Sequence, residues 1–130
     1  MRNTEKTTPV VIADDDPLMR DLLASLLRGH GYTYIAFAND GPQALQLLQT
    51  DAYQEALVFL DIHMPGLDGL AVLTQARAHG NRAFVVMVSA DSALDKVMAA
   101  LGGGASGFVI KPYTVHRILD MVAKFERETS

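Results

Sequence analysis

The chain has 130 residues, 49% of them apolar, which suits about one domain with a single sheet covered on both faces. It has no cysteine, which excludes disulfides and thiolate metal sites and fits a cytoplasmic protein. No apolar stretch approaches the roughly 18 residues of a membrane span, residues 1–6 lack the apolar core of a secretory signal, and a net charge of −4 with no basic run argues against direct nucleic-acid binding.

Residues 1–8 are polar and read as a flexible N-terminal tail, residues 9–126 as one domain, and 127–130 as a C-terminal tail or the start of a linker. Val10, Val11, Ile12 and Ala13 form a first strand that runs into Asp14 and Asp15. Asp16 and Pro17 open a helix, a capping residue followed by proline at the first helical position. Leu18, Met19, Leu22, Leu23, Leu26 and Leu27 draw one apolar stripe along it, and Gly29 and Gly31 close it. Residues 33–37 are rich in β-formers and predict the second strand, and Gly41 and Pro42 start a short helix through Ala44, Leu45, Leu47 and Leu48.

A third strand over 56–60 ends at Asp61, Pro65 and Gly66 make a turn, and Asp68 caps a helix through Val72, Leu73 and Ala76. The fourth strand, 84–88, ends at Ser89. The next helix carries Leu94, Val97, Met98 and Leu101, and Gly102, Gly103 and Gly104 predict a loose end for it. A fifth strand, 107–110, leads into Lys111 and Pro112, a site for a cis peptide, and a last helix carries Val115, Ile118, Leu119, Val122 and Phe125. Unbroken apolar runs alternating with helices predict an α/β fold, a doubly wound sheet of five parallel strands with five helices.

In open sheets of this kind, ligands bind outside the carboxyl ends of the strands. Asp14, Asp15, Asp61, Ser89 and Lys111 all stand at such ends. Each alone has an ordinary structural explanation, a solvated loop or a strand-end turn. Together they crowd carboxylates that repel one another unless a cation intervenes. Magnesium takes oxygen ligands from one or two carboxylates plus phosphate, whereas no twelve-residue calcium loop is present. An aspartyl carboxylate such as Asp61 can accept a phosphoryl group, while Ser89 and Lys111 can bond and neutralise its oxygens. The glycine triplet is no phosphate loop, because no lysine and hydroxyl residue follow it at the required spacing. The four histidines are scattered, so zinc or histidine chemistry is not indicated.

These residues give the chain a resemblance to the CheY-like receiver domain of two-component response regulators, over residues 9–125. It rests on Val11 to Pro17, on Leu60-Asp61-Ile62-His63-Met64-Pro65-Gly66-Leu67-Asp68-Gly69, on Val88-Ser89-Ala90 and on Gly104 to Tyr113. The resemblance implies a flavodoxin-like strand order 2-1-3-4-5 and phosphorylation of Asp61 by a histidine kinase or histidine phosphotransferase. It implies Mg2+ held by Asp15 and Asp61, with Asp14 acting mainly through water and the His63 backbone carbonyl completing the set. Ser89 would move toward the phosphoryl group, Lys111 would pair with it, and Phe108 would be the aromatic switch, lacking a tyrosine hydroxyl. His63 and Asp91 match positions that modulate the lifetime of the acyl phosphate. Output to a downstream protein or effector domain would use the face of the fourth helix, fifth strand and fifth helix. Two other readings stand beside it. One is an interaction module independent of phosphorylation. The other is an aspartyl-phosphate phosphohydrolase, against which His63 stands where a second aspartate is needed.

Overall fold

The computed structural model describes residues 6–90 and 94–129. Among them lie β1 (Val10–Ala13), α1 (Pro17–Gly29), β2 (Ile35–Ala38), α2 (Gly41–Leu48), β3 (Leu57–Asp61), α3 (Gly69–Ala78), β4 (Phe84–Ser89), α4 (Leu94–Gly102), β5 (Gly107–Ile110) and α5 (Val115–Thr129), with a 3-10 turn at Asp51–Tyr53. The strands form one parallel sheet in the order β2-β1-β3-β4-β5. This is the flavodoxin-like order that the resemblance implies.

Successive strand residues face opposite sides of the sheet, and here both sides are roofed. Val11, Val58, Leu60, Val85 and Met87 pack with Ala44 and Leu48 of α2, Val72 and Leu73 of α3 and Ala100 of α4. Val10, Ile12, Leu57, Phe59 and Val86 pack on the other side with Leu23 and Leu27 of α1 and Ile118, Val122 and Phe125 of α5. A strand buried on both faces must be apolar at every position, which is why the runs are unbroken. Each fully buried aliphatic or Phe side chain contributes roughly 1.5–3 kcal/mol. The helices begin where aspartates can cap them. Asp16, Asp40 and Asp68 accept from the backbone N–H groups of Leu18, Gln43 and Ala71 at 3.0, 2.8 and 2.9 Å.

Several details differ from the sequence reading. Strand β2 begins at Ile35, because its register with β1 starts at the pair Val10 and Ile35; Tyr34 contributes only its carbonyl, to the Val10 N–H at 2.7 Å. The apolar stripe of α1 is wider than the face the sheet covers, so Leu23 and Leu27 are buried while Leu18 and Leu22 stay 63% and 56% exposed. Lys6 does not fray. Its N–H donates to the Gly31 carbonyl at 2.7 Å, and its ammonium meets Glu126 at 2.9 Å, where the buried Tyr32 hydroxyl also donates at 2.6 Å. Helix α5 accordingly continues past Glu126 to Thr129.

The glycines after α4 close the helix rather than loosening it. The N–H groups of Gly103, Gly104 and Ala105 return to the carbonyls of Ala99, Leu101 and Ala100 at 2.9, 3.2 and 3.0 Å, with Gly104 at φ +101°, a conformation open to glycine. The Arg77 guanidinium then seals the Gly104 carbonyl with bonds of 2.7 and 3.2 Å.

Candidate functional site

The site is assembled at the carboxyl edge by strands that the sheet order makes neighbours. Strand β1 delivers Asp14 beside β3, which ends at Asp61; β4 ends at Ser89 next to β3, and β5 leads into Lys111. Asp14, Asp61 and Ser89 are buried, Lys111 is half-buried and Asp15 is exposed. One oxygen each from Asp14, Asp15 and Asp61 lies within 4.8 Å of the others. The Lys111 ammonium sits 2.9 Å from Asp14 Oδ2 and 2.9 Å from Asp61 Oδ2.

The backbone around these side chains is fixed in detail. Asp14 Oδ1 accepts from the Asp16 N–H at 2.9 Å, and the Asp14 carbonyl accepts from Arg20 Nη1 at 2.7 Å. Asp61 Oδ1 accepts from the His63 N–H at 3.0 Å. The Lys111 N–H donates to the Ser89 carbonyl at 2.8 Å, and the Lys111–Pro112 peptide is cis. Beyond Asp61, the Ile62 N–H donates to Val88 and the Gly69 N–H to the Ile62 carbonyl, at 2.9 and 2.8 Å. The turn through Pro65 and Gly66, with Gly66 at φ +84°, docks on α2 through the Gly41 N–H to the Pro65 carbonyl at 3.0 Å.

Electrostatics follows from this crowding. Burial raises the Asp61 pKa above its ordinary value, and the charge of Asp14 adds to it; the hydrogen bonds from Lys111 and His63 only partly offset both. Burial works against the Lys111 ammonium, but its bonds to Asp61 and Asp14 outweigh that and push its pKa up, so it is charged at neutral pH. Burial, then the negative charge of Asp14, also raises the Tyr113 phenol. Three carboxylates face one ammonium, a formal excess of two negative charges at a cluster of oxygens. That donor set fits a hard divalent cation with oxygen ligands.

Of the residues picked out in the sequence, Asp14, Asp15, Asp61, Ser89 and Lys111 come together at this edge. His63 is exposed and reaches Asp61 through its backbone N–H. Phe108 lies in β5 opposite Met87, half-buried against the α2–α3–α4 side of the core, with its carbonyl accepting from Arg117 at 3.1 Å. Asp91 lies outside the described residues. Two residues had no role assigned from the sequence. Arg20 makes a contact six residues back, off any helical period. Gly69 matters for space: a Cβ there would stand 2.9 Å from the Asp61 carbonyl carbon and 2.9 Å from Ile62 Cα. In the sequence, Gly69 stands only as the last residue of the receiver-like segment after the capping Asp68, with nothing local to mark the lack of room.

A doubly wound sheet with a lysine among buried carboxylates at its carboxyl edge defines a class of α/β protein with an acidic, cation-ready pocket. Residues 10–123 match the response regulator receiver domain, and the chain belongs to that family, of two-component systems. It is 34% identical over 121 residues to the chemotaxis protein CheY of Pseudomonas aeruginosa, covering 91% of this chain and 96% of CheY. It is 33% identical over 120 residues to the response regulator MprA of Mycobacterium ulcerans, covering 92% of this chain. The chain spans about half of two of its curated relatives, 53% and 50% of their length. Among solved structures, CheY in the CheX–CheY–BeF3–Mg2+ complex of Borrelia burgdorferi superposes with a TM-score of 0.83 at 30% identity, covering 90% of this chain and 87% of that one.

Proposed function

We propose that residues 9–126 form a phosphorylation-controlled switch in which Asp61 accepts a phosphoryl group from the phosphohistidine of a histidine kinase or phosphotransferase, with Mg2+ as cofactor. The observation that carries this reading is the buried Asp61 carboxylate, 2.9 Å from the Lys111 ammonium in a cluster of three carboxylates. Asp14, Asp15, Asp61 and the His63 backbone carbonyl would hold the ion, which when bound neutralises charge on the transferring phosphoryl oxygens. The solved CheY complex that contains BeF3 and Mg2+ supports this assignment by likeness.

In the transfer, an Asp61 carboxylate oxygen forms a bond to phosphorus as the P–N bond of the donor breaks, and the released imidazole takes up a proton from solvent. Lys111, already paired with Asp61, moves onto a phosphoryl oxygen, and the Ser89 hydroxyl donates to another. Phe108 follows Ser89 inward by packing alone, since its ring has no hydroxyl. His63 and Asp91 set how long the acyl phosphate survives. Shifting the two packings from 1:99 to 99:1 requires roughly 5.5 kcal/mol, the order that a few charge-assisted hydrogen bonds supply. The downstream protein or effector domain binds α4, β5 and α5, a face where Met98, Leu101 and Ile110 stay 60%, 48% and 38% exposed.

Intact-mass analysis after incubation with acetyl phosphate, with and without magnesium, tests the assignment. One magnesium-dependent phosphoryl adduct is expected in the wild type and none in Asp61→Asn. No adduct in the wild type would replace the switch with a phosphorylation-independent interaction module.

A further inference from the structure

We infer that Arg20 is a positioning residue for the acidic pair, holding the Asp14–Asp15 peptide so that both carboxylates face a bound cation; this rests on reading the site as magnesium-dependent. Arg20 stands in the first turn of α1, where its own N–H donates to the Asp16 carbonyl at 3.1 Å. Its Nη1 reaches back to the Asp14 carbonyl at 2.7 Å. That oxygen belongs to the peptide joining Asp14 to Asp15. Because a peptide is planar, fixing its oxygen fixes the plane from which the Asp15 side chain departs.

The neighbouring bonds close the loop on either side. The Asp14 N–H donates to the Ala38 carbonyl at 3.0 Å and the Asp16 N–H to Asp14 Oδ1 at 2.9 Å. The Asp14 carboxylate is further tied by Lys111 at Oδ2. Asp15 is exposed on the same loop, yet its carboxylate stays within 4.8 Å of those of Asp14 and Asp61. The side chain that fixes its peptide comes from a different element, α1, so docking of the helix and shape of the cation site are one event.

Charge and geometry make opposite predictions, which makes the role testable. A guanidinium near three carboxylates repels a divalent cation, so by charge alone its removal tightens magnesium binding. By geometry its removal frees a peptide that the cation must then order, and binding weakens.

Magnesium is titrated calorimetrically into the wild type, Arg20→Met and Arg20→Lys, and the magnesium dependence of the acetyl phosphate adduct is followed by intact mass. Arg20→Met keeps side-chain length and removes both donor and charge; Arg20→Lys keeps the charge and one donor without the planar fork. Arg20→Met is expected to weaken magnesium roughly ten-fold, the scale of losing an outer-shell partner of a metal ligand. Arg20→Lys should recover part of that loss, and adduct formation at saturating magnesium should be unchanged in both. Unchanged or tighter binding in Arg20→Met overturns the inference, as does a slower reaction at saturating magnesium with unaltered affinity. If Arg20→Met does not fold, Arg20→Lys decides, since weaker binding is expected there too and wild-type affinity would refute it. Magnesium that binds none of the three proteins removes the underlying reading and this inference with it.

Discussion

Asp61 lives under opposed demands: burial favours its neutral form, while Lys111 and the His63 N–H favour its charge. Burial prevails with help from Asp14, so the folded protein holds a proton there more readily than the unfolded chain. Stability must then fall as pH rises from the ordinary carboxylate value of 3.8 through the raised folded value. Lys111, whose folded pKa is also raised, has the same sign of dependence in a different window: its contribution is full below its ordinary 10.5 and lost only above it, so it is silent near neutrality. Asp61→Asn is therefore expected to be more stable than the wild type at neutral pH in urea unfolding, the gain shrinking toward acid pH. A wild type that gains no stability relative to the variant on acidification would refute this. Gly69 carries a steric demand instead. Gly69→Ala should cost about 3 kcal/mol, because the added carbon meets backbone of Asp61 and Ile62, which cannot swing aside as a side chain would. Urea unfolding checks it.

Helix α4 is the element whose local sequence was most misleading. Three glycines favour a loose end, but Arg77 supplies the cap from outside the helix, binding Gly104 with Nε and Nη2 and the Asn81 carbonyl with Nη1 at 3.1 Å. Asn81 is itself buried and donates to the Leu48 and Tyr53 carbonyls at 2.9 and 3.2 Å. The end of α4 is thus fastened, through α3, to the base of the sheet. Arg77→Ala should cost about 1–2 kcal/mol and speed amide exchange at Gly103, Gly104 and Ala105; exchange at the wild-type rate would mean that the helix end holds itself. At α1, the same gap between local pattern and tertiary use leaves Leu18 and Leu22 exposed.

For the whole molecule, the proposed magnesium site would make the cation a stabilising ligand, since the carboxylate cluster at the sheet edge forms only on folding. At ten times its dissociation constant, magnesium should add about 1.4 kcal/mol to the unfolding free energy. Asp61→Asn should lose most of that increment while starting from a more stable metal-free state. Thermal melts across a magnesium series measure both, and equal increments in the two proteins would place the cation elsewhere. The clasp of Lys6, Tyr32 and Glu126 joins the first and last described segments.

The fold class was legible in the sequence because burial on both faces demands unbroken apolar strands and because aspartates, prolines and glycines mark helix ends by local chemistry. Asp14, Asp15, Asp61, Ser89 and Lys111 were legible too, since a polar residue that ends such a strand has few places to go. The tertiary structure alone decided which carboxylate is buried and which exposed, where Lys111 sits between Asp14 and Asp61, and why Gly69 has no room for a side chain. It alone placed Arg20 on the Asp14 carbonyl and Arg77 on Gly104. The division has one physical reason. Periodicity and capping depend on neighbours within a few residues, whereas desolvation, side chain-to-carbonyl contacts and clearance depend on segments that meet only when the sheet closes.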